Sequence, residues 1–227
     1  MDYMVINKCV FEDNWALLSG GAIYIYLYCD YNLINQTMFI SNYAGSSGGA
    51  ITVYGDARYT SVTHCTFRWN EATLYGGAVA FFGNQIDPLV SFCSFHNNMA
   101  PGGSGGALYM GTANSDTTLL SCSFHGNWGV DGGALAVEKS NVDTVIVSCR
   151  FSNNTAVKLG GAVWLGFEND RLTITDMEAS ANVAGEDGGA MYISTSNRDI
   201  GLVESWIHLN MAKLDGGAIY LQVCMDE

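Results

Sequence analysis

Val90-Ser91-Phe92-Cys93-Ser94-Phe95-His96-Asn97-Asn98-Met99-Ala100, followed after a short linker by Gly105-Gly106-Ala107-Leu108-Tyr109-Met110, is the stretch from which the rest of the chain can be read. Its pattern is aliphatic-x-x-Cys-x-Phe-x-x-Asn-x-Ala, then Gly-Gly-Ala-apolar-x-apolar. Gly-Gly-Ala recurs at Gly20, Gly48, Gly76, Gly105, Gly132, Gly160, Gly188 and Gly216, in steps of 27 to 29 residues. An Asn keeps step with it at Asn14, Asn42, Asn70, Asn98, Asn127, Asn154, Asn182 and Asn210. The Phe slot holds Phe11, Phe39, Phe67, Phe95, Phe124 and Phe151, then Ala179 and Ile207. The Cys slot holds Cys9, Cys65, Cys93, Cys122 and Cys149, with Thr37, Met177 and Ser205 in the other copies. Eight copies of about 28 residues account for nearly all of the 227 residues, which predicts one repeat domain over 1–227 without separate caps.

The segments are short, rich in Val, Ile, Thr and Tyr, and lack the 3.6-residue stripes of helical repeats. After each Gly-Gly-Ala the apolar residues stand two apart, as in Ile51/Val53, Val79/Phe81 and Val163/Leu165, so one strand face is buried. Two or three such strands per 28 residues, repeated in register, predict an all-β fold: a right-handed parallel β-helix of about eight coils. Like residues then stack on like at roughly 4.8 Å per coil, giving a rod roughly 38 Å long. Phe and aliphatic columns fill the core. The Asn column stands at a bend, where stacked amides bond along the axis. Gly-Gly permits a tight corner.

Phe95-x-x-Asn98 with Gly105-Gly106-Ala107-Leu108, and Phe151-x-x-Asn154 with Gly160-Gly161-Ala162-Val163, resemble the repeat of the polymorphic outer membrane proteins. The resemblance covers essentially the whole chain. It implies a right-handed β-helical passenger of an autotransported bacterial surface adhesin. The stretch from Met1 to Asn14 carries no apolar signal-peptide core, so an exported form is expected to take its leader from outside this sequence.

Composition narrows the chemistry. Lys and Arg number 9 against 22 Asp and Glu, a formal charge of −13, which disfavours nucleic acid as a partner. No apolar run is long enough for a membrane-spanning helix. The Cys ladder reads as small buried hydrophobes rather than a metal centre, with Cys29 and Cys224 outside it. His96, His125 and His208 follow the Phe slot and read as outward, solvated side chains. Asp56, Asp87, Asp116, Asp143, Asp170 and Asp199 lie in turn regions. Turn formation explains them better than a calcium site, so no cofactor is expected, with calcium the weak alternative.

Asp143, Asp170, Arg171, Arg198 and Asp199, in turns of three consecutive coils, form the best candidate for catalysis by a polysaccharide lyase or hydrolase. The short turns offer no wall for a cleft, so the expectation is a non-enzymatic protein. The outward aromatics Trp15, Tyr24, Tyr109, Trp128, Trp164, Tyr192 and Tyr220 are the candidate surface-binding residues for a glycan or a host-surface protein. Asn35 and Asn153 fit the glycosylation sequon. The combined expectation is an extracellular or cell-surface structural and adhesive solenoid, stacking end to end on itself or forming part of a longer chain. A carbohydrate-active β-helix is the alternative.

Overall fold

The computed structural model describes residues 3–222, and Cys224 lies outside them. The first coil contains β1 (Val5–Asn7), β2 (Val10–Glu12), β3 (Trp15–Ala16) and β4 (Ile23–Tyr26). Each later coil repeats these four strands, and each strand pairs in parallel with its equivalent one coil away, building four eight-stranded sheets. The coil thus has four strands, where two or three were expected. The additional one is the two-residue strand after the Asn, as in Trp15–Ala16 paired with Tyr43–Ala44. It is too short to leave an alternation pattern in the sequence.

The columns are those the repeat predicts. Phe67 pairs with Phe95 and Phe95 with Phe124. Their rings stack with centroids 4.8 and 4.7 Å apart, and the stack runs unbroken from Phe11 to Phe151. Cys65, Cys93, Cys122 and Cys149 are buried beside it as free thiols. Each Asn donates its Nδ2 to the Oδ1 of the Asn one coil on, from Asn14→Asn42 at 2.8 Å to Asn182→Asn210 at 2.9 Å. The same Oδ1 also accepts the backbone N–H of the preceding Asn, and Nδ2 reaches back to a Phe carbonyl, as from Asn70 to Phe39. The buried bend is therefore fully hydrogen-bonded, as a polar group without water must be.

The two glycines of the corner serve different ends. Gly76 takes a φ of +62°, where a side chain is strained. Gly77 has no such φ, but a Cβ there would collide with the carbonyl oxygen of Gly106 on the next coil. The bend before each Asn also turns left-handed, yet non-glycine side chains such as Trp69 (φ 54°) and Asn97 (φ 53°) occupy it.

A second buried amide ladder lies at the corner after the fourth strand. Asn114, Asn141, Asn169 and Asn197 repeat the same bonds, with Nδ2···Oδ1 distances of 2.8, 3.0 and 3.0 Å. Sequence reading placed these residues in turns and saw no ladder. The column begins in the fourth coil, and Gln85, Ala57 and Cys29 occupy it earlier.

Candidate functional site

The corner after the fourth strand carries most of the surface chemistry. Its outermost column runs Tyr31, Tyr59, Asp87, Asp116, Asp143, Arg171, Asp199, all at left-handed φ between 49° and 57°. The adjacent column includes Arg58, Ile86, Ser115, Val142, Asp170 and Arg198, bridged coil to coil. The structure thus brings Asp143, Asp170, Arg171, Arg198 and Asp199 together on three successive coils. Asp56 stands apart from the acidic column, with one oxygen accepting from Asn84 Nδ2 at 3.0 Å.

Arg171 is the centre of that group. Its Nε and Nη2 clamp the two oxygens of Asp143 at 2.7 and 2.8 Å, and Nη1 donates to Asp170. The guanidinium hydrogen bonds hold the Asp143 carboxyl below the usual carboxylate range. A general acid needs the opposite shift, a carboxyl kept protonated near neutral pH. What this arrangement does chemically is fasten two coils together at the surface, Asp143 on one and Arg171 with Asp170 on the next.

The candidate aromatics divide. Trp15 and Tyr24 are exposed, and Trp128 and Tyr220 are half-covered. Tyr109, Trp164 and Tyr192 are not on the surface: only 2, 8 and 6% of each is accessible. They form a second hydrophobic cluster outside the wall with Ala80 and Ala136, flanked by Tyr75, Phe82 and Leu159. The physical reason is room. A Cβ at Gly111 would press on the Tyr109 ring, and one at Gly166 on the Trp164 ring. Tyr109 and Trp164 therefore each fold over a glycine two residues on, with Ala136 between them in the column, while Tyr192 stacks on Tyr220. Tyr109 donates its hydroxyl to Glu138, and burial with that carboxylate pushes its phenol pKa up. The signal was legible in Tyr109-x-Gly111 and Trp164-x-Gly166, a glycine on the same strand face as the aromatic.

Sequence reading missed a different aromatic group. Tyr26 stacks on Tyr54 at 5.9 Å, Phe82 follows at 6.2 Å with its ring tilted by 39°, and Tyr31 stacks on Tyr59 at 4.8 Å. Tyr28 is more exposed still, at 71%. Their density between residues 24 and 59 was the available signal.

The remaining candidates are simply placed. His96 is half-buried, with burial lowering its pKa, and its ring centroid is 6.0 Å from that of the more exposed His125. His208 stacks on Trp206 rather than standing free in solvent. The Asn35 amide is tied to Asn7 at 2.9 Å, while Asn153 is exposed at a φ of 54°. Among the described residues no three His, Cys, Asp or Glu side chains converge as a metal centre. No helix there is long and apolar enough to cross a membrane.

Residues 2–221 match the family model described as right handed beta helix region. The chain belongs to that family. The solenoid of four parallel sheets is thus a right-handed β-helix of eight coils. No curated protein and no solved structure matches the chain.

Proposed function

We propose that this right-handed β-helix is a non-enzymatic structural and adhesive module of the cell surface or extracellular space. The polymorphic outer membrane protein repeat it resembles supports that placement. The observation that carries the reading is the clamp at Arg171. The group best placed for acid–base chemistry is closed on itself, with Asp143 held deprotonated by the guanidinium. The rest of the molecule is built for stiffness, with one ring column and two amide ladders running along the axis. The reading needs no cofactor.

The ladders also give the rod a direction. In every rung the earlier Asn donates and the later Asn accepts. Asn14 therefore faces a preceding coil with its Oδ1, and Asn210 faces a following coil with its backbone N–H. These edges are complementary, and what fits each of them is a further coil, from a longer chain or from a second copy stacked head to tail, a contact that extends rather than closes. Electron microscopy of the purified protein tests this: filaments or multi-unit rods support it, and a uniform population of single short rods overturns end-to-end stacking. Incubation with neutral and acidic polysaccharides tests the absence of catalysis. Turnover that Asp170→Asn abolishes would replace the structural reading with an enzymatic one.

A further inference from the structure

His96 and His125 stand directly opposite each other on adjacent coils. Their column runs Arg68, His96, His125, Ser152 along the outer face of the sheet that begins with β2. At a neighbouring bend His64 lies flat on Phe92, with centroids 5.0 Å apart and planes within 16°. The two histidines do not lie flat: their centroids are 6.0 Å apart and their planes are inclined by 52°. The Ser152 hydroxyl engages Nδ1 of His125 at 2.9 Å, which leaves Nε2 as the open nitrogen of that ring. The residues that follow the two histidines belong to the same place. Asn97 sets its Oδ1 over Gly126, and a Cβ at Gly126 would collide with that oxygen. Every other coil carries a side chain at this bend, at a similar left-handed φ, so the backbone does not call for glycine here. What the glycine provides is room for the Asn97 amide at the edge of the pair.

We propose that His96, His125 and the Asn97 side-chain oxygen hold an imidazole-seeking divalent metal ion such as zinc, with water completing its shell. The proposal goes beyond the structural reading above and does not depend on it. Imidazole is the side chain such ions take most often. Metal–nitrogen bonds of roughly 2.0–2.1 Å, with about 1.2 Å more from nitrogen to ring centre, put two rings sharing an ion roughly 5 to 6.4 Å apart. The observed 6.0 Å falls in that span. Inclined planes let both open nitrogens turn toward one point, which flat stacking prevents. A ligating imidazole must be neutral, and burial, with Arg68 and His125 nearby, lowers the His96 pKa. Ser152 is the outer partner that fixes the orientation of a ligating ring. From Ile40 to Ser180 the column contains no carboxylate, which argues against calcium or magnesium, ions that take hard oxygen ligands.

Zinc titration of the intact protein, followed by NMR at the imidazole ring signals, is the test. Reading at the rings leaves out binding to thiols elsewhere. The His96 and His125 signals should shift together and saturate at one zinc per chain, while those of His64 and His208 stay in place. Calcium should move none of them. In His96→Ala the His125 signal should need at least about tenfold more zinc, since loss of even a supporting residue costs about 10–100-fold in affinity. Asn97→Ala should raise the requirement severalfold. Both side chains lie on the outer face, so the backbone spectra of both variants should match the parent. Should His96→Ala fail to fold, His125→Ala, at the more exposed ring, is read at His96 in its place. Separate responses of the two rings, an unchanged zinc requirement in either variant, or a calcium response equal to that of zinc overturns the proposal.

Discussion

In the column that opens with Tyr31 and Tyr59, stacked phenols give way at Asp87, Asp116 and Asp143 to stacked carboxylates, and then to Arg171 and Asp199. The backbone does not change across the transition: φ is 56° and 57° at the tyrosines and 49° to 57° at the charged positions. Beneath the surface the contrast runs the other way. Behind the tyrosines the inward column is Cys29 and Ala57, behind Asp87 it is Gln85, and from Asp116 on it is the amide ladder from Asn114 to Asn197. One coil geometry therefore carries two surfaces and two interiors. Backbone ladders and the inner Phe and Asn columns specify the coil, which leaves the outer corner free to vary in chemistry.

The sharpest way to break this contrast is to treat a buried tyrosine like an exposed one. Tyr109→Ala should cost about 3–5 kcal/mol, because the ring fills the space over Gly111 and its loss leaves a cavity beneath Phe82 and Tyr75. Tyr54→Ala, on the aromatic corner, should stay within about 0.5 kcal/mol. Urea denaturation of the two variants measures both, and equal losses would erase the distinction between packed and presented aromatics.

Next in size is the interior of the charged corner. Asn141→Ala removes the acceptor for the backbone N–H and Nδ2 of Asn114, together with a donor to the Gly111 carbonyl. Groups left buried and unpaired cost about 1–3 kcal/mol each, so a loss of about 3 kcal/mol is expected by thermal or chemical denaturation. Ala already stands at the equivalent position, Ala57, in the second coil. A loss below about 1 kcal/mol would mean that the second ladder is incidental and that the two interiors are interchangeable.

How much of this could be read from the chain follows the same division. The Phe and Asn columns were legible because each places one residue type at one spacing in nearly every coil, and stacking rewards identity between neighbours. The second amide ladder was not, because it starts half-way along and its members sit among Asp and Ser residues that make turns anyway. Of the surface candidates, the charged five share one corner of three successive coils, but Asp170, Arg171, Arg198 and Asp199 lie at strand starts rather than in turns. Tyr109, Trp164 and Tyr192 were misplaced because strand alternation gives a direction, outward, but not the depth of cover. At Tyr109 and Trp164 that cover comes from a glycine on the same strand and alanines on neighbouring coils. Non-glycine residues at left-handed φ, such as Trp69, carry no local signal, because the coil as a whole imposes the bend.

The inner Cys column runs along both halves and should not distinguish them. Burial pushes the Cys93 thiol up, while the hydrogen bond with Cys93 lowers that of Cys65; Cys65, Cys122 and Cys149 are as closely covered as Cys93, so a reagent in solvent reaches none of the four. Only a thiolate reacts readily with alkylating reagents. Iodoacetamide applied to the native protein at pH 8 should therefore modify the exposed Cys9 while sparing these four, as read by peptide mass spectrometry. Modification of Cys93 or Cys122 without unfolding would mean that the coils open far more readily than continuous ladders allow.

The smallest effect sharpens the charged corner alone. With Arg171 against it, the Asp143 carboxyl lies below its ordinary value of 3.8. A carboxyl depressed on folding contributes stability that is fully present above its unfolded-chain pKa and disappears as pH falls through the folded one. Both partners face solvent, so Arg171→Gln should leave the denaturation midpoint at neutral pH where it was. The informative readout is the carboxyl carbon of Asp143 followed by NMR from pH 6 downwards. In the parent its titration midpoint should fall below 3.8, and in Arg171→Gln it should rise, because the neighbours then left in its column, Asp116 and Asp199, carry the same charge. A parent midpoint at or above 3.8 would leave Asp143 free to hold a proton near the pH at which carboxylic acids donate one. The charged corner would then be a candidate for chemistry rather than a clasp.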